Sequence, residues 1–256
     1  MAVRFNEHVE AYNLLPSRQS AYRAHHSTET VVIDVHNRIV RNMDRGGHAS
    51  VLVLLYLSSA FDTVDHAILL EILEKRFGVT GIALKSFKWY CSYVDERTKT
   101  FQVGSLLSAT FVVQCSVPQG SVLEALKFIA YTEDLPAVIQ RFVIDHHLYA
   151  DDTKLSDEPP ITSIAASISN MEHCVNAVHA WCSAKQLQLN PSKSEIIWFG
   201  TRATLKRLEN THLSLHVGTD TVTPSNVVRD LGVLLDSELT LRQHISKTVG
   251  ACFYHL

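Results

Sequence analysis

Phe142-Val143-Ile144-Asp145-His146-His147-Leu148-Tyr149 reads as a short strand that runs straight into Ala150-Asp151-Asp152. Two carboxylates side by side on a tight turn repel each other, and neither can be buried cheaply while both are charged. A divalent cation with a preference for hard oxygen ligands is the usual compensation. Taken alone, a strand-end Asp-Asp also fits a solvated turn, because Asp favours turns through local hydrogen bonding. Upstream, however, lies the loop Val117-Pro118-Gln119-Gly120-Ser121. Tyr56-Leu57-Ser58-Ser59-Ala60-Phe61-Asp62 precedes that loop, and Leu189-Asn190-Pro191-Ser192-Lys193-Ser194-Glu195 follows the acidic turn. The four segments together favour a cation site over a plain turn.

Around these segments the hydrophobic pattern alternates between helix and strand periods. Val31, Val32, Val35, Ile39 and Val40 recur at helical spacing over Thr28 to Met43, and Gly46-Gly47 ends the helix. Val51 to Leu57 is a continuous β-branched-rich apolar run, the pattern of a strand buried on both faces. Ile68, Leu69, Ile72, Leu73 and Phe77 mark an amphipathic helix stopped by Gly78, and a second helix covers about 82–93. Strands are expected at Thr100 to Val103 and Thr110 to Gln114, with Gly104 turning between them. A helix is expected from Ser121 to Tyr131 and a long one from Ile164 to Lys185, broken by Asn190-Pro191. Further strands are expected at Glu195 to Phe199, His212 to Val217 and Val228 to Leu235, before a last helix from about Thr240. No Gly- or Pro-rich linker interrupts the pattern, so one α+β unit with subdomains is expected.

The composition supports a folded chain. Of 256 residues 46% are hydrophobic and 19% charged, with only 10 Gly and 7 Pro, which excludes disordered and collagen-like classes. MAVRFNEHVE carries charges where a signal peptide needs an apolar run, and no stretch approaches the roughly 20 apolar residues of a bilayer span. An intracellular protein of nucleus or cytoplasm, neither secreted nor membrane-embedded, is therefore expected. The five cysteines are scattered without a CxxC pair, so reduced thiols, mostly buried, are expected rather than disulfides or zinc. Among the 14 histidines, His25-His26 and His146-His147 are adjacent pairs that would point apart on a strand, and no metal role is assigned to them. The net charge of −3 conceals a polarity. Residues 75–102 carry Lys75, Arg76, Lys85, Lys88, Arg97 and Lys99 for a local charge of +4, whereas residues 141–160 carry −3. That arrangement suits a polyanion path leading to a cation site, and equally two ordinary solvated surfaces.

The motifs resemble the reverse transcriptase domain of LINE-type (non-LTR) retrotransposons over about 14–256. Gln19-Ser20-Ala21-Tyr22-Arg23 and His26-Ser27-Thr28 resemble the family's early fingers motif. Leu57 to His66 resembles its first palm motif, Cys115 to Leu123 its Pro-Gln-Gly-Ser motif, and Tyr149 to Asp152 its catalytic box. Leu187 to Gly200 is similar to the lysine motif and Val228 to Leu256 to the thumb entry. The resemblance implies an α+β right-hand polymerase. Fingers motifs would occupy about 14–50 and a palm with an inserted fingers segment 51–200. The palm end and thumb entry would follow at 201–256. It also implies DNA synthesis from dNTPs on an RNA or DNA template, extending a primer 3′-hydroxyl by phosphoryl transfer with two Mg²⁺ (or Mn²⁺) ions.

By resemblance, Asp151 and Asp152 are catalytic metal ligands, and Lys193 is the acid or cation beside the leaving pyrophosphate. Phe61 is the gate against a ribose 2′-hydroxyl, while Gln119, Gly120 and Arg23 contact template and nucleotide. The chain departs from the family where the first palm aspartate belongs, because that position is Tyr56. A neutral phenol cannot bridge two dications, so weak metal binding is expected. Glu124, Lys127 and Glu133 also bring charges to positions where the family carries other residues. Two readings follow: a polymerase that is weakly active or inactive, and a non-catalytic nucleic-acid- or protein-binding module.

Overall fold

The computed structural model describes residues 2–58, 60–61, 63–94, 97–113 and 124–254. The chain divides into two compact units. The first comprises Met1–Ser17, Ser58–Asp134 and Cys182–Gln188; the second comprises Arg18–Leu57, Leu135–Trp181 and Leu189–Leu256.

The second unit is built on a four-stranded antiparallel sheet. Its strand order is Glu195–Phe199, Ser50–Leu55, Asp152–Asp157, Asp145–Tyr149. All six residues of Ser50–Leu55 are buried, as the continuous apolar run requires of a central strand. Alternate residues share a face, so Leu52 and Leu54 join Ile197 and Phe199 in one apolar layer. Val35 and Ile39 from the Thr28–Asp44 helix cover that layer, together with Val228 and Leu235. Ser27 caps this helix reciprocally with Thr30, which satisfies two otherwise orphaned N–H groups. Each such buried aliphatic or aromatic side chain contributes ~1.5–3 kcal/mol. On the outer strand, Arg38 pairs with Asp145, and Arg18 reaches both Asp34 and Asp145 at 3.5 Å.

Two sequence expectations are corrected in outline, and one strand lies where none was expected. Val228 to Leu235 is not one strand but a hairpin, Val227–Asp230 against Val233–Asp236. It turns at Leu231 (φ 44°) and Gly232 (φ 93°), and apolar periodicity does not register a two-residue reversal. Gly104 turns a tight hairpin of Gln102–Val103 on Leu106–Leu107, while Phe111–Val113 pairs instead with Arg97–Lys99. Asp152–Asp157, whose Thr-Lys-Leu-Ser centre has no clean apolar period, is a strand, and the acidic turn therefore joins two strands. Helices at Ala2–Ala11, Leu135–Gln140 and Arg202–Leu208 complete the order. The long helix runs Ile164–Ala184 and the last one Arg242–Tyr254, close to expectation.

In the first unit, Phe5 of the Ala2–Ala11 helix packs on Phe77 and Phe87 at centroid distances of 5.9 and 5.5 Å. Glu133 finds a partner in Arg76, whose Nε and Nη2 donate to its two oxygens at 2.7 and 3.2 Å. Lys127 is buried. Cys174 and Cys182 are buried free thiols, pushed up to about 12 by burial, while Cys252 is exposed. Among the described residues no helix is long and apolar enough to cross a membrane.

Candidate active site

Tyr149 pairs with Asp152, leaving Ala150 and Asp151 as a two-residue hairpin turn. Ala150 takes φ 56° there, a conformation that favours Gly in such turns. Asp151 and Asp152 are half-buried, and burial raises both carboxyls. Asp152 is pushed up to about 6, first by burial and then by the neighbouring charge of Asp151. A pair of carboxylates held against their own repulsion offers four hard oxygens, and that donor set fits one divalent ion.

The third position follows from the register. Leu54 pairs with Lys154 and Leu55 with Thr153, so the next residue on the same face, Tyr56, lies beside Asp152. Tyr56 is half-buried, and its hydroxyl donates to the Arg229 carbonyl at 3.2 Å. Burial, then the charges of Asp152, Glu195 and Asp230, pushes its phenol well above the usual range, so it stays neutral. Among the described residues no group of three or more His, Cys, Asp or Glu side chains could hold a metal ion. The two carboxylates of the turn could offer oxygens to one divalent ion, and among the described residues no third such side chain joins them.

The turn bearing Lys193 reaches the same strand end. Asn190 N–H donates to the Tyr56 carbonyl at 2.8 Å, and Asn190 Oδ1 accepts from Ser192 Oγ and Lys193 N–H at 2.7 and 3.2 Å. Lys193 itself is exposed. Arg23 is half-buried, with Nη1 donating to the Gln19 carbonyl at 3.2 Å. Phe61 belongs to the other unit, where its ring meets Phe128 at 4.8 Å. Gln119 and Gly120 lie outside the described residues.

Three residues beside the acidic turn had no role in the sequence reading. Lys154 and Asp230, each 2% exposed, form an ion pair at 2.5 Å two residues along the strand from Asp152. Neither position carries a local signal that the two would meet. Gln19 is 1% exposed, and its Oε1 accepts from Ala150 N–H at 3.2 Å. His146 and His147 are also buried. Burial and the nearby Lys154 push His147 down to about 4, and Ser20 Oγ is hydrogen-bonded to its Nε2 at 2.8 Å.

Comparison with known proteins agrees with this architecture. Residues 1–233 match the family model described as reverse transcriptase (RNA-dependent DNA polymerase). The chain is 26% identical over its whole length to the probable RNA-directed DNA polymerase from transposon BS of Drosophila melanogaster, of which it covers 28%. It is 28% identical over 96% of its length to the X-element counterpart, covering 26% of that protein. The RNA-directed DNA polymerase from mobile element jockey is 25% identical over 91% of the chain, which covers 24% of it. The chain thus spans about a quarter of the length of these relatives. The fold is shared with an apo telomerase from Candida tropicalis lacking its C-terminal domain, with TM-score 0.58 and 11% identity. That match covers 94% of this chain and 43% of the other. A Candida albicans telomerase in complex with a fragment of telomeric RNA matches at TM-score 0.58 and 11% identity, over 93% of this chain and 36% of that one. With its antiparallel sheet and acidic turn in a polymerase-like α+β fold, this chain belongs to the reverse transcriptase (RNA-dependent DNA polymerase) family, in the form found in non-LTR retrotransposons.

Proposed function

We propose that this chain is the fingers and palm, with the entry to the thumb, of an RNA-directed DNA polymerase. Its substrates would be dNTPs and a primer annealed to RNA or DNA, and Tyr56 would leave it weakly active or inactive. The observation that carries this reading is the register setting Tyr56 beside Asp152 on one face of the sheet. Asp151 and Asp152 would hold a divalent ion, Mg²⁺ or Mn²⁺, which when bound supplies Lewis-acid stabilisation of charge on the transferred phosphoryl group. Tyr56 offers a neutral oxygen already committed to the Arg229 carbonyl, so it contributes no negative charge. Lys193, on a turn fixed by Asn190, would supply positive charge and a proton to the leaving pyrophosphate. Phe61 would exclude the ribose 2′-hydroxyl, and Arg23, Gln119 and Gly120 would contact template and nucleotide.

A binding-module reading rests on a separate observation. The Lys154 ammonium pairs with buried Asp230 and its charge also acts on Asp152, so part of the charge at this end of the sheet is compensated by the chain's own residues.

Primer extension on an RNA template separates the two readings. Tyr56→Asp should revive dNTP incorporation, and Tyr56→Asp/Asp151→Asn should abolish it again. Each ~1.4 kcal/mol of regained transition-state stabilisation is tenfold in rate. Tyr56→Asp should also gain thermal stability with Mg²⁺ where the parent gains little. Inactivity of all three proteins, with primer–template binding intact, would favour the binding module.

A further inference from the structure

We infer that Gln19 is the positioning residue of the acidic turn, setting the direction in which Asp151 and Asp152 project; this rests on the reading of that pair as a cation site. Ala150 is the strained point of the turn, since an L-residue at φ 56° brings its Cβ close to the following carbonyl. The Gln19 carboxamide brackets this one residue. Its Oε1 accepts from Ala150 N–H at 3.2 Å, and its Nε2 donates to the Ala150 carbonyl at 3.5 Å. The same Oε1 accepts from Ala21 N–H at 3.0 Å. Only the carboxamide oxygen can serve two N–H donors, so the orientation of the amide is determined.

Gln19 is itself anchored to the strand that leads into the turn. Leu148 N–H donates to the Arg18 carbonyl at 2.9 Å, and Ser20 N–H donates to the Leu148 carbonyl at 3.0 Å. Gln19 thereby forms a parallel bridge with Leu148 along the sheet edge. The Ser20–His147 hydrogen bond and the Arg23 guanidinium on the Gln19 carbonyl add two further ties. A carboxamide held on a bonded backbone and 1% exposed has little freedom, so it transmits that rigidity to Ala150. Asp151 follows Ala150 directly, and a turn that samples other conformations would scatter both carboxylates.

The test uses the full chain with Gln19→Met, which matches the shape but cannot hydrogen-bond. Gln19→Glu keeps the acceptor for Ala150 N–H. Amide exchange over 148–153 and Mn²⁺ uptake by electron paramagnetic resonance are read in parallel. Gln19→Met should speed exchange at Ala150 about three- to tenfold, the equivalent of one lost hydrogen bond, and weaken Mn²⁺ binding by a similar factor. Gln19→Glu should restore most of the Ala150 protection. If Gln19→Met proves poorly folded, Gln19→Glu alone, missing only the Nε2 bond, should show a smaller shift confined to the turn. Exchange at Ala150 unchanged from the parent, or accelerated equally across the whole sheet, overturns the assignment. Failure of the cation site is distinguishable: Asp151→Asn/Asp152→Asn would then leave Mn²⁺ uptake unaltered, while exchange at Ala150 still decides the role of Gln19.

Discussion

Lys154→Met would leave a carboxylate stranded in the core. Asp230 is 2% exposed, its Oδ1 lies 2.5 Å from Lys154 Nζ, and its Oδ2 has no hydrogen-bond partner among the described residues. Burial, with a smaller push from the charge of Arg38, lowers the Lys154 pKa, and Asp230 is the first of the groups that oppose it. The ammonium is therefore held charged mainly by this one partner. Met keeps the length of the buried stem, so the packing loss is small and the measured effect isolates the charge. Removing one member of a buried pair costs ~3–5 kcal/mol, because the other is left uncompensated away from water. Asp230→Leu should cost a similar amount by stranding the ammonium. Lys154→Met/Asp230→Leu should lose less than either single variant, since an apolar pair of like volume often equals a buried ion pair. Urea unfolding followed by circular dichroism gives the three differences and the coupling between them. Strict additivity, or a Lys154→Met loss below ~1 kcal/mol, would refute the argument that the pair is isolated and interdependent.

His147, pushed down to about 4 by burial, takes up its proton in the unfolded state first, near pH 6.5. Its contribution to stability is complete above pH 6.5 and is lost as pH falls toward about 4, at no more than ~1.4 kcal/mol per pH unit. Asp152, raised to about 6, runs oppositely: its contribution is present below pH ~4 and lost as pH rises through about 6. Urea midpoints between pH 7 and 4.5 should therefore fall more steeply for Asp152→Asn than for the parent, and less steeply for His147→Phe. Asp236 accepts from the N–H groups of Glu238, Thr240 and Leu241, donors that outweigh burial and hold its carboxyl below the usual range. Asp236→Ala should lower the urea midpoint by the equivalent of ~1–2 kcal/mol, the cost of removing the charged acceptor these loop N–H groups share. Lys85 and Lys88 are exposed in the basic segment. If it lines a template path, Lys85→Ala/Lys88→Ala should reduce the slope of log K against log salt by about one to two for primer–template binding, and an unchanged slope would make them ordinary surface charges.

Local pattern alone was enough for the elements whose burial is periodic. The apolar run at 51–57 marks the central strand, Glu195–Phe199 falls where its residues indicate, and the spacing of Val31, Val35 and Ile39 marks a helix facing the core. The acidic turn was legible because adjacent carboxylates at a strand end are chemically unusual, and Tyr56 drew notice because the family resemblance implies a carboxylate there. Long-range pairing was not legible. Gln19 and Ala150 lie 131 residues apart, and nothing local to either announces their hydrogen bonds. Lys154 meets Asp230 only because a hairpin turning at Leu231-Gly232 folds back over one face of the sheet, and nothing local to either residue announces the meeting. Side-chain periodicity reports which residues avoid water, and it fixes each strand separately. Which buried polar groups then meet is decided by register and topology, since an unpaired charge or amide in the interior must find its partner wherever the chain brings one.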